Sequence, residues 1–266
     1  MFARPEDSVF RRVDGRFEPT ELALGPWNPE HLHGGAVSGL IAHVCEAVPT
    51  PVPMRPVRLN VDLLHPVPHA PLEINTKIVR EGKRLQLIDL TIEGRDRTVA
   101  RASVLRMREA IGETSDVESP DTPRSDVAPD MRRAIPEDQA ANLPGFIRAL
   151  DYIGPPEDAP DGHVSIWLRL RCQLVDAASP SPFVRAAIAA DFTSGTGSRL
   201  DHMQWRFINP DITAHFERMP IGAWIRLDAT ARISGAGIGR SASVIGDAQG
   251  RIGRGSASLF VEKARR

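Results

Sequence analysis

Residues 209–263 read NPDITAHFERMPIGAWIRLDATARISGAGIGRSASVIGDAQGRIGRGSASLFVEK. This stretch repeats the pattern of an earlier one, residues 57–109. Each stretch begins with an alternating strand and then reaches a proline, Pro68 in the first and Pro220 in the second. A strand, a turn, a third strand, a polar turn and a last strand follow in both. Alternating apolar and polar residues are typical of half-buried antiparallel strands. A repeat of roughly 50 residues indicates two duplicated units and not a solenoid.

A small apolar helix is predicted upstream of each strand block. The first covers residues 35–48 and follows the motif HLHGG at 31–35; the second covers 183–192 and follows two prolines, which are tolerated at a helix start. Both helices are apolar on nearly every face, and a helix of that kind is buried. We therefore predict an α+β fold, a tandem or double hotdog, in which two antiparallel sheets each wrap around a central helix.

The composition changes between the two blocks. Residues 109–161 are rich in Pro, Asp, Glu and Ser and lack periodic apolar positions, which indicates a linker with a short helix near 136–142. The chain is thus predicted to contain an N-terminal hotdog domain at 1–108, this linker, and a C-terminal hotdog domain at 162–266.

Composition and charge exclude several classes of protein. The formal net charge of −1 argues against nucleic-acid and anionic-membrane partners, which require a basic face. Cys45 and Cys172 lie far apart in apolar runs, so we interpret them as small buried side chains and not as nucleophiles. The first residues carry charges where a signal peptide has an apolar core, and no apolar run approaches the ~20 residues of a membrane span. We expect a cytoplasmic, soluble protein.

No metal or other cofactor is predicted. His31, His33 and His43 suggest a metal site, but no carboxylate or cysteine stands at a matching spacing. The glycine-rich GAGIGRS at 235–241 lies between two predicted strands, which favours a hairpin turn over a dinucleotide-binding loop. GxSxG, P-loop and HExxH motifs do not occur in the sequence.

Three segments resemble the double-hotdog acyl-CoA thioesterase II family. They are AADFTSG at 189–195, NPDITAHFERMPIGAW at 209–224 and GDAQGRIGRGSASLFVE at 246–262. HLHGG before a small-residue helix also resembles the start of the central helix in hotdog thioesterases. The resemblance implies hydrolysis of acyl-CoA thioesters to a free acid and CoA, without a cofactor. It further implies that an Asp, a Thr and a Gln of the second half hold the attacking water.

Carried onto this chain, the three positions fall on Asp191, Asn209 and Ser258, or on Ala257 in place of Ser258 if one residue of gap is allowed. A buried, ionised carboxylate is costly unless it is hydrogen-bonded or lines a wet cavity, and the resemblance implies that Asp191 takes the proton of the water. Asn209 can donate and accept, and Ser258 can donate. The structural alternatives are a carboxylate that bonds backbone amides, an asparagine that caps a bulge and an ordinary strand serine.

The substrate is expected at the ends of the two predicted helices. The glycine pair opens the first helix, where backbone N–H groups and the helix dipole favour an anionic oxygen such as a thioester oxyanion. A hydroxyl-rich loop is expected directly after Asp191, at the mouth of the pocket. The predicted substrate-binding residues are His33, Gly34, Gly35, Thr193, Gly195 and Thr196.

Two other functions stay open at this level. Asn209 and Ser258 differ from the Thr and Gln of the family, so the chain is compatible with a non-catalytic hotdog module that binds acyl-CoA or a fatty acyl group. An enoyl-CoA hydratase-like hotdog protein is the second alternative. Independently of the function, we predict self-association through the hotdog sheets, as a homo-oligomer.

Overall fold

The computed structural model describes residues 1–4, 6–110, 112, 134–155, 164–176, 179–197, 200 and 204–264. Its α-helices are α1 (Gly34–Glu46), α2 (Gly145–Arg148) and α3 (Pro182–Thr196), and two 3-10 helices cover Glu21–Ala23 and Glu137–Asn142. The strands are β1 (Ser8–Val13), β2 (Arg16–Pro19), β3 (Met54–Leu63), β4 (Glu73–Glu81), β5 (Leu85–Gly94), β6 (Arg97–Arg108), β7 (Leu150–Ile153), β8 (Val164–Leu170), β9 (Gln173–Val175), β10 (Trp205–Ile208), β11 (Asp211–Phe216), β12 (Ile225–Ile233), β13 (Ile238–Asp247) and β14 (Gly250–Lys263).

One large antiparallel sheet carries most of these strands, in the order β4-β5-β6-β3-β11-β14-β13-β12-β8-β7, with β10 paired to β14. The repeat is visible in this order, because β3–β6 and β11–β14 have the same arrangement, each with its first strand beside its last. β3 also pairs with β11, where Asn60 lies opposite Thr213. The predicted antiparallel sheet with few helices is confirmed. The two predicted sheets, however, form one continuous sheet in the described residues, because the first strands of both blocks pair edge to edge.

A second, three-stranded sheet ties the start of the chain to the segment before α3. Its order is β2-β1-β9, and β1 runs parallel to β9, with Ser8 opposite Gln173 and Phe10 opposite Val175. Phe10 and Val175 are buried in the main core. The first strand of the chain therefore packs onto the second half of the sequence.

Helix α1 begins at Gly34 because the side chain of His33 caps its N-terminus. Nδ1 of His33 accepts a hydrogen bond from the N–H of Gly35 at 2.9 Å, which satisfies one of the free donors of a helix start. At the other end Arg106, from β6, donates to the carbonyl oxygens of Cys45 and Val48, the latter at 2.8 Å. Polar backbone groups at both ends of this buried helix thus have partners.

Helix α3 begins with Ser181, whose hydroxyl accepts a hydrogen bond from the N–H of Val184 at 3.1 Å. Proline at the next position suits the first turn of a helix. The helix continues through Thr196, so the hydroxyl-rich segment that was predicted as a loop is helical up to that residue. It ends at Gly197, where an added Cβ would lie 2.7 Å from the carbonyl carbon of Thr230. A side chain at this position would therefore overlap the backbone of β12.

Helices α1 and α3 pack against each other in opposite directions. Gly34 lies beside Asp191, and Gly39 lies beside Ile188, whose Cγ1 would be only 2.8 Å from a Cβ at position 39. Small residues on α1 allow this close approach. The antiparallel packing brings the N-terminus of α1 next to the C-terminal half of α3.

Part of the predicted linker forms regular structure. In residues 134–155 the chain contains a 3-10 helix, α2 and β7, and β7 pairs with β8 at one edge of the large sheet. Phe146, Leu150 and Ile153 in this part are fully buried, because the apolar run that contains them covers the core between the helices and the sheet. Residues 113–133 and 156–163 of the predicted linker lie outside the described residues, and the predicted domain boundaries stay a prediction.

Candidate functional site

The carboxylate of Asp191 lies between the two central helices. Asp191 belongs to α3 and is 3% exposed, and its side chain reaches the first residue of α1. An added Cβ on Gly34 would overlap Oδ1 and lie 2.9 Å from Cγ, so only glycine leaves room for the carboxylate at this place. The positive end of the α1 dipole faces the carboxylate, and such an arrangement stabilises a negative charge by roughly 0.3–1 kcal/mol.

Asn209 holds one oxygen of this carboxylate. Its Nδ2 donates a hydrogen bond to Oδ1 of Asp191 at 3.0 Å. Asn209 lies in the bend between β10 and β11, where the following Pro210 favours an extended backbone. The carbonyl oxygen of Pro210 accepts from the N–H of Leu63 at 2.7 Å, which fastens the bend to β3. Two of the three predicted polar residues are therefore in direct contact.

His33, from the first half of the chain, approaches the other oxygen. Its Nδ1 is 3.2 Å from Oδ2 of Asp191, and its ring packs against two aromatic rings that lie 6.4 Å from each other. The centroids of Phe146 and Phe192 are each 5.0 Å from the centroid of the imidazole, with interplanar angles of 35° and 21°. Residues far apart in the sequence thus fix both the position and the plane of the imidazole.

These groups open onto a cavity of about 510 Å³ whose wall combines both repeats with α2 and β7. An apolar cavity with a few convergent polar groups is typical of a site for a largely apolar ligand. Its larger apolar side chains include Trp27, Leu32, Val37, Leu63, Ile147, Phe192 and Phe207. Its polar side chains are Asn28, His31, His33, His65, Tyr152, Asp191, Ser194, Thr196 and Asn209.

The predicted substrate-binding residues divide into two groups. Gly35 and Thr193 do not line the cavity. The N–H of Gly35 is bound to His33, and the hydroxyl of Thr193 lies 2.7 Å from that of Ser243 on the sheet. Since α3 is still helical at Thr193, successive side chains of this segment point in different directions. The residues that do line the cavity are His33, Gly34, Gly195 and Thr196.

Ser258 is not brought to the carboxylate. It lies on the exposed face of β14, opposite Arg240 of the neighbouring strand, and its N–H donates to Oδ1 of Asp211 at 2.9 Å. Ala257, the alternative position, is buried but has no polar group. Side chains alternate between the faces of a strand, so neither candidate offers the inward-facing donor that the resemblance implies.

Part of the site comes from residues that sequence analysis did not select. The segment 144–152, which was assigned to the linker, contributes Ile147 and Tyr152 to the cavity wall. Burial raises the pKa of Tyr152 to about 12. The closely spaced apolar residues of this segment were the available signal, but the surrounding Pro- and acid-rich composition obscured it. Phe146 of the same segment was also missed. Its contact with the ring of His33 exists only in the tertiary structure.

In the residues that the structure describes, no group of three or more His, Cys, Asp or Glu side chains is arranged to hold a metal ion. Both cysteines are buried, and burial raises the pKa of Cys45 to about 11 and that of Cys172 to about 12, which disfavours the reactive thiolate. None of the helices described has the length and apolar content needed to cross a membrane.

The arrangement as a whole suits proton transfer next to an apolar ligand. A buried carboxylate at the start of a helix accepts a hydrogen bond from an amide on one side and faces an imidazole nitrogen on the other. Groups of this kind can hold a small polar molecule and take its proton.

Two family models match the chain. The model of the acyl-CoA thioesterase N-terminal domain matches residues 23–107, and that of the acyl-CoA thioesterase C-terminal domain matches residues 120–256. Comparison with curated proteins gave no match.

Several solved structures share the fold over nearly their whole length. A protein with a hotdog fold from Alicyclobacillus acidocaldarius is 16% identical, with a TM-score of 0.67 over 96% of this chain and 95% of its own. The tesB protein of Mycobacterium avium subspecies paratuberculosis is 17% identical, with a TM-score of 0.64 over 95% of both chains. The acyl-CoA thioesterase II TesB2 of Mycobacterium marinum is 14% identical, with a TM-score of 0.63 over 91% and 97%. At these identities the similarity concerns the fold alone.

Proposed function

The chain belongs to the acyl-CoA thioesterase family, and on that premise we propose that it hydrolyses acyl-CoA thioesters with a water molecule activated by Asp191. Family membership confirms the predicted enzyme class, a thioester hydrolase. The observation that carries the proposed mechanism is the placement of the Asp191 carboxylate, which lines an apolar cavity and is bound to Asn209 at 3.0 Å.

Asp191 acts as the general base. In the proposed reaction the acyl group occupies the apolar cavity and the thioester carbonyl lies beside Asp191. A water molecule between them gives one proton to the carboxylate while its oxygen bonds to the carbonyl carbon. The hydrogen bond from Asn209 prevents the carboxylate from rotating, and general-base catalysis of this kind contributes typically about 10²–10⁴-fold.

The start of α1 stabilises the oxyanion. Gly34 lines the cavity, and no hydrogen bond from its N–H is found within the described residues. The dipole of α1 favours negative charge at the same place. A donor that is already in position for the developing charge lowers the barrier without reorganisation. The oxyanion then collapses to the carboxylic acid, and the thiol of CoA leaves.

The finer features of the fold belong to the same proposal. We interpret the two blocks β3–β6 and β11–β14, each with a central helix, as two hotdog units fused into a double hotdog whose sheets share the edge between β3 and β11. The domain limits given above, a cytoplasmic location and further association into a homo-oligomer remain part of this proposal. Acyl-CoA is the proposed substrate.

Release of free thiol tests the proposal. Purified protein is assayed with a panel of short, medium and long aliphatic acyl-CoAs and an aromatic acyl-CoA, and the wild type is compared with Asp191→Asn. We expect release by the wild type and a loss of about 10²–10⁴-fold in kcat for the variant. Because Asn has nearly the shape of Asp, an unchanged melting temperature would show that the fold is intact.

The outcomes separate the alternatives. If the wild type binds acyl-CoAs but releases no thiol from any of them, the protein is a binding module and the hydrolase proposal fails. If Asp191→Asn hydrolyses as fast as the wild type, hydrolysis stands but another group activates the water.

A further inference from the structure

We infer that His33 is a second catalytic side chain, which relays a proton from Asp191 to the sulfur of the leaving thiol. The inference rests on the proposed function and deepens it, because it assigns a chemical role to a side chain of the first half of the chain. It stands on the contacts of Nδ1, on the fixed plane of the ring and on the free side of the imidazole.

Nδ1 of His33 has two neighbours that require different protonation states. It accepts from the N–H of Gly35 at 2.9 Å, which requires an unprotonated Nδ1. It is also 3.2 Å from Oδ2 of Asp191, and this contact is favourable only when a proton lies between the two atoms. That proton arrives when Asp191 takes it from the attacking water. Both contacts of Nδ1 are thus favourable together only after the first proton transfer, when Asp191 carries the proton of the water.

The ring is held so that its two nitrogens keep separate directions. Phe146 and Phe192 both pack against it, with centroids 5.0 Å from the imidazole and 6.4 Å from each other, and the side chain is only 13% exposed. Rotation of the imidazole would drive its edge into these rings. Nδ1 therefore stays on Asp191, and Nε2 lies on the other side of the ring. Nε2 has no hydrogen-bond partner within the described residues, and His33 lines the cavity.

The proton balance follows from this arrangement. His33 begins as the neutral tautomer with hydrogen on Nε2, since Nδ1 accepts from Gly35. Water loses a proton to Oδ2 of Asp191, and its oxygen bonds to the carbonyl carbon. The proton passes from Oδ2 to Nδ1. Nε2 then gives its hydrogen to the sulfur as the carbon–sulfur bond breaks, and the electron pair of that bond stays on sulfur. The products are a carboxylic acid and a thiol.

The relay is reset without a further reactant. Nε2 takes a proton from the product acid or from solvent, and Nδ1 releases its proton through Asp191. The other titratable side chains of the described cavity wall are His31, His65 and Tyr152. No hydrogen bond or ion pair with Asp191 is found for any of them within the described residues, so the relay passes through His33.

The test compares two leaving groups. Asn at position 33 can still accept from the N–H of Gly35 and cap α1, but it cannot relay a proton. A thioester of thiophenol releases a stabilised thiolate that leaves readily without a proton, whereas the alkyl thiol of CoA is a poorer leaving group. We therefore assay His33→Asn with the best acyl-CoA of the panel and with the S-phenyl thioester of the same acid. His33→Phe, which retains the aromatic stack, serves as a second variant.

We expect both variants to lose about 100-fold in kcat on the acyl-CoA and far less on the phenyl thioester. Equal losses on the two substrates would mean that His33 only shapes the site, and no loss on the acyl-CoA would also overturn the relay. Asp191→Asn is assayed beside them and should lose activity on both substrates. If it does not, the general base is wrongly assigned and the relay, which starts at Asp191, fails with it, while thioester hydrolysis itself stands. Melting temperatures show whether each variant is folded.

Discussion

Gly34 and Asp191, from opposite halves of the chain, are in van der Waals contact, and the carboxylate occupies the space that a side chain at position 34 would need. A Cβ there would overlap Oδ1 and lie 2.9 Å from Cγ and 3.1 Å from Oδ2. The glycine is therefore required by close approach and not by backbone conformation. This contact makes the position of the carboxylate depend on the packing of α1 against α3.

Gly34→Ala should lower kcat by about 100-fold, because the new methyl group displaces the carboxylate of Asp191. A displacement of about 1 Å is enough for such a loss. Alanine favours helix, so the melting temperature should change little. Gly195→Ala is the matched control, since its Cβ would lie 3.8 Å from Phe207, an ordinary contact in the same cavity. A comparable loss for both variants would show that the cavity tolerates no added methyl group and would refute the specific role of Gly34.

Asn209→Ala should lower kcat by about 10–100-fold. The variant removes a hydrogen bond to a charged group, which contributes roughly 1.5–3 kcal/mol, and leaves the carboxylate of Asp191 free to rotate. Asn209→Thr offers a hydroxyl donor at the same place and should recover part of the activity. Steady-state kinetics on the best acyl-CoA provide the measurement. Equal activity of Asn209→Ala and the wild type would mean that this hydrogen bond does not serve catalysis.

Ser258→Ala should leave kcat and KM unchanged. The side chain lies on the exposed face of β14, while the hydrogen bond to Asp211 comes from its backbone N–H and survives the substitution. The same thiol-release assay checks this result. A loss as large as that of Asn209→Ala would require Ser258 to reach the substrate, contrary to the strand register.

Asp247→Asn should lower the free energy of unfolding by about 2 kcal/mol at pH 7. The buried carboxylate binds Arg218 through two hydrogen bonds of 2.6 Å and accepts from the N–H groups of Ile221 and Gln249. Removal of one partner from a buried pair costs roughly 3–5 kcal/mol. We expect less because Arg218 is 28% exposed. Urea unfolding measures the change.

The pair also predicts how stability depends on pH. Desolvation raises the pKa of Asp247, but the hydrogen bonds from Arg218 and from the backbone outweigh it, so the net pKa is lowered. Its contribution is therefore fully present above the unfolded pKa, ~3.9, and is lost as the pH falls through the lower folded pKa. Glu217→Gln is the control for the variant, since the Glu217–Arg251 pair is exposed and should contribute ~0–1 kcal/mol. Equal destabilisation by Asp247→Asn and Glu217→Gln would contradict a special role for the buried pair.

Both cysteines should resist thiol reagents in the folded protein. Burial raises the pKa of Cys45 to about 11 and that of Cys172 to about 12, so little thiolate forms at pH 8 and the reagent has no access to it. A disulfide reagent should titrate almost no thiol in the native state and two per chain after unfolding in urea. Rapid reaction of either cysteine in the native protein would indicate local opening at that site.

Local patterns in the sequence predicted the elements of this fold better than their contacts. Alternation predicted β5, the repeat predicted the corresponding strand β13, and small apolar residues predicted α1 and α3. Patterns of this kind follow the period of the local structure. Residues 145–153 were misjudged, since their composition suggested a linker while their apolar side chains are buried in the core. The face of Ser258 was also undetermined, because a shift of one residue in the alignment moves a strand side chain to the other face.

The sequence by itself determined that the chain contains two similar strand blocks, each preceded by a buried helix, and that a carboxylate lies on the second helix. It did so because strand and helix periodicity is expressed within a few consecutive residues. Only the tertiary structure decided that His33 and Gly34 of the first half meet Asp191, that Asn209 binds the same carboxylate, and that β3 pairs with β11. These contacts depend on the antiparallel packing of α1 on α3 and on the pairing of strand edges. Such interactions join residues distant in the chain and have no local period.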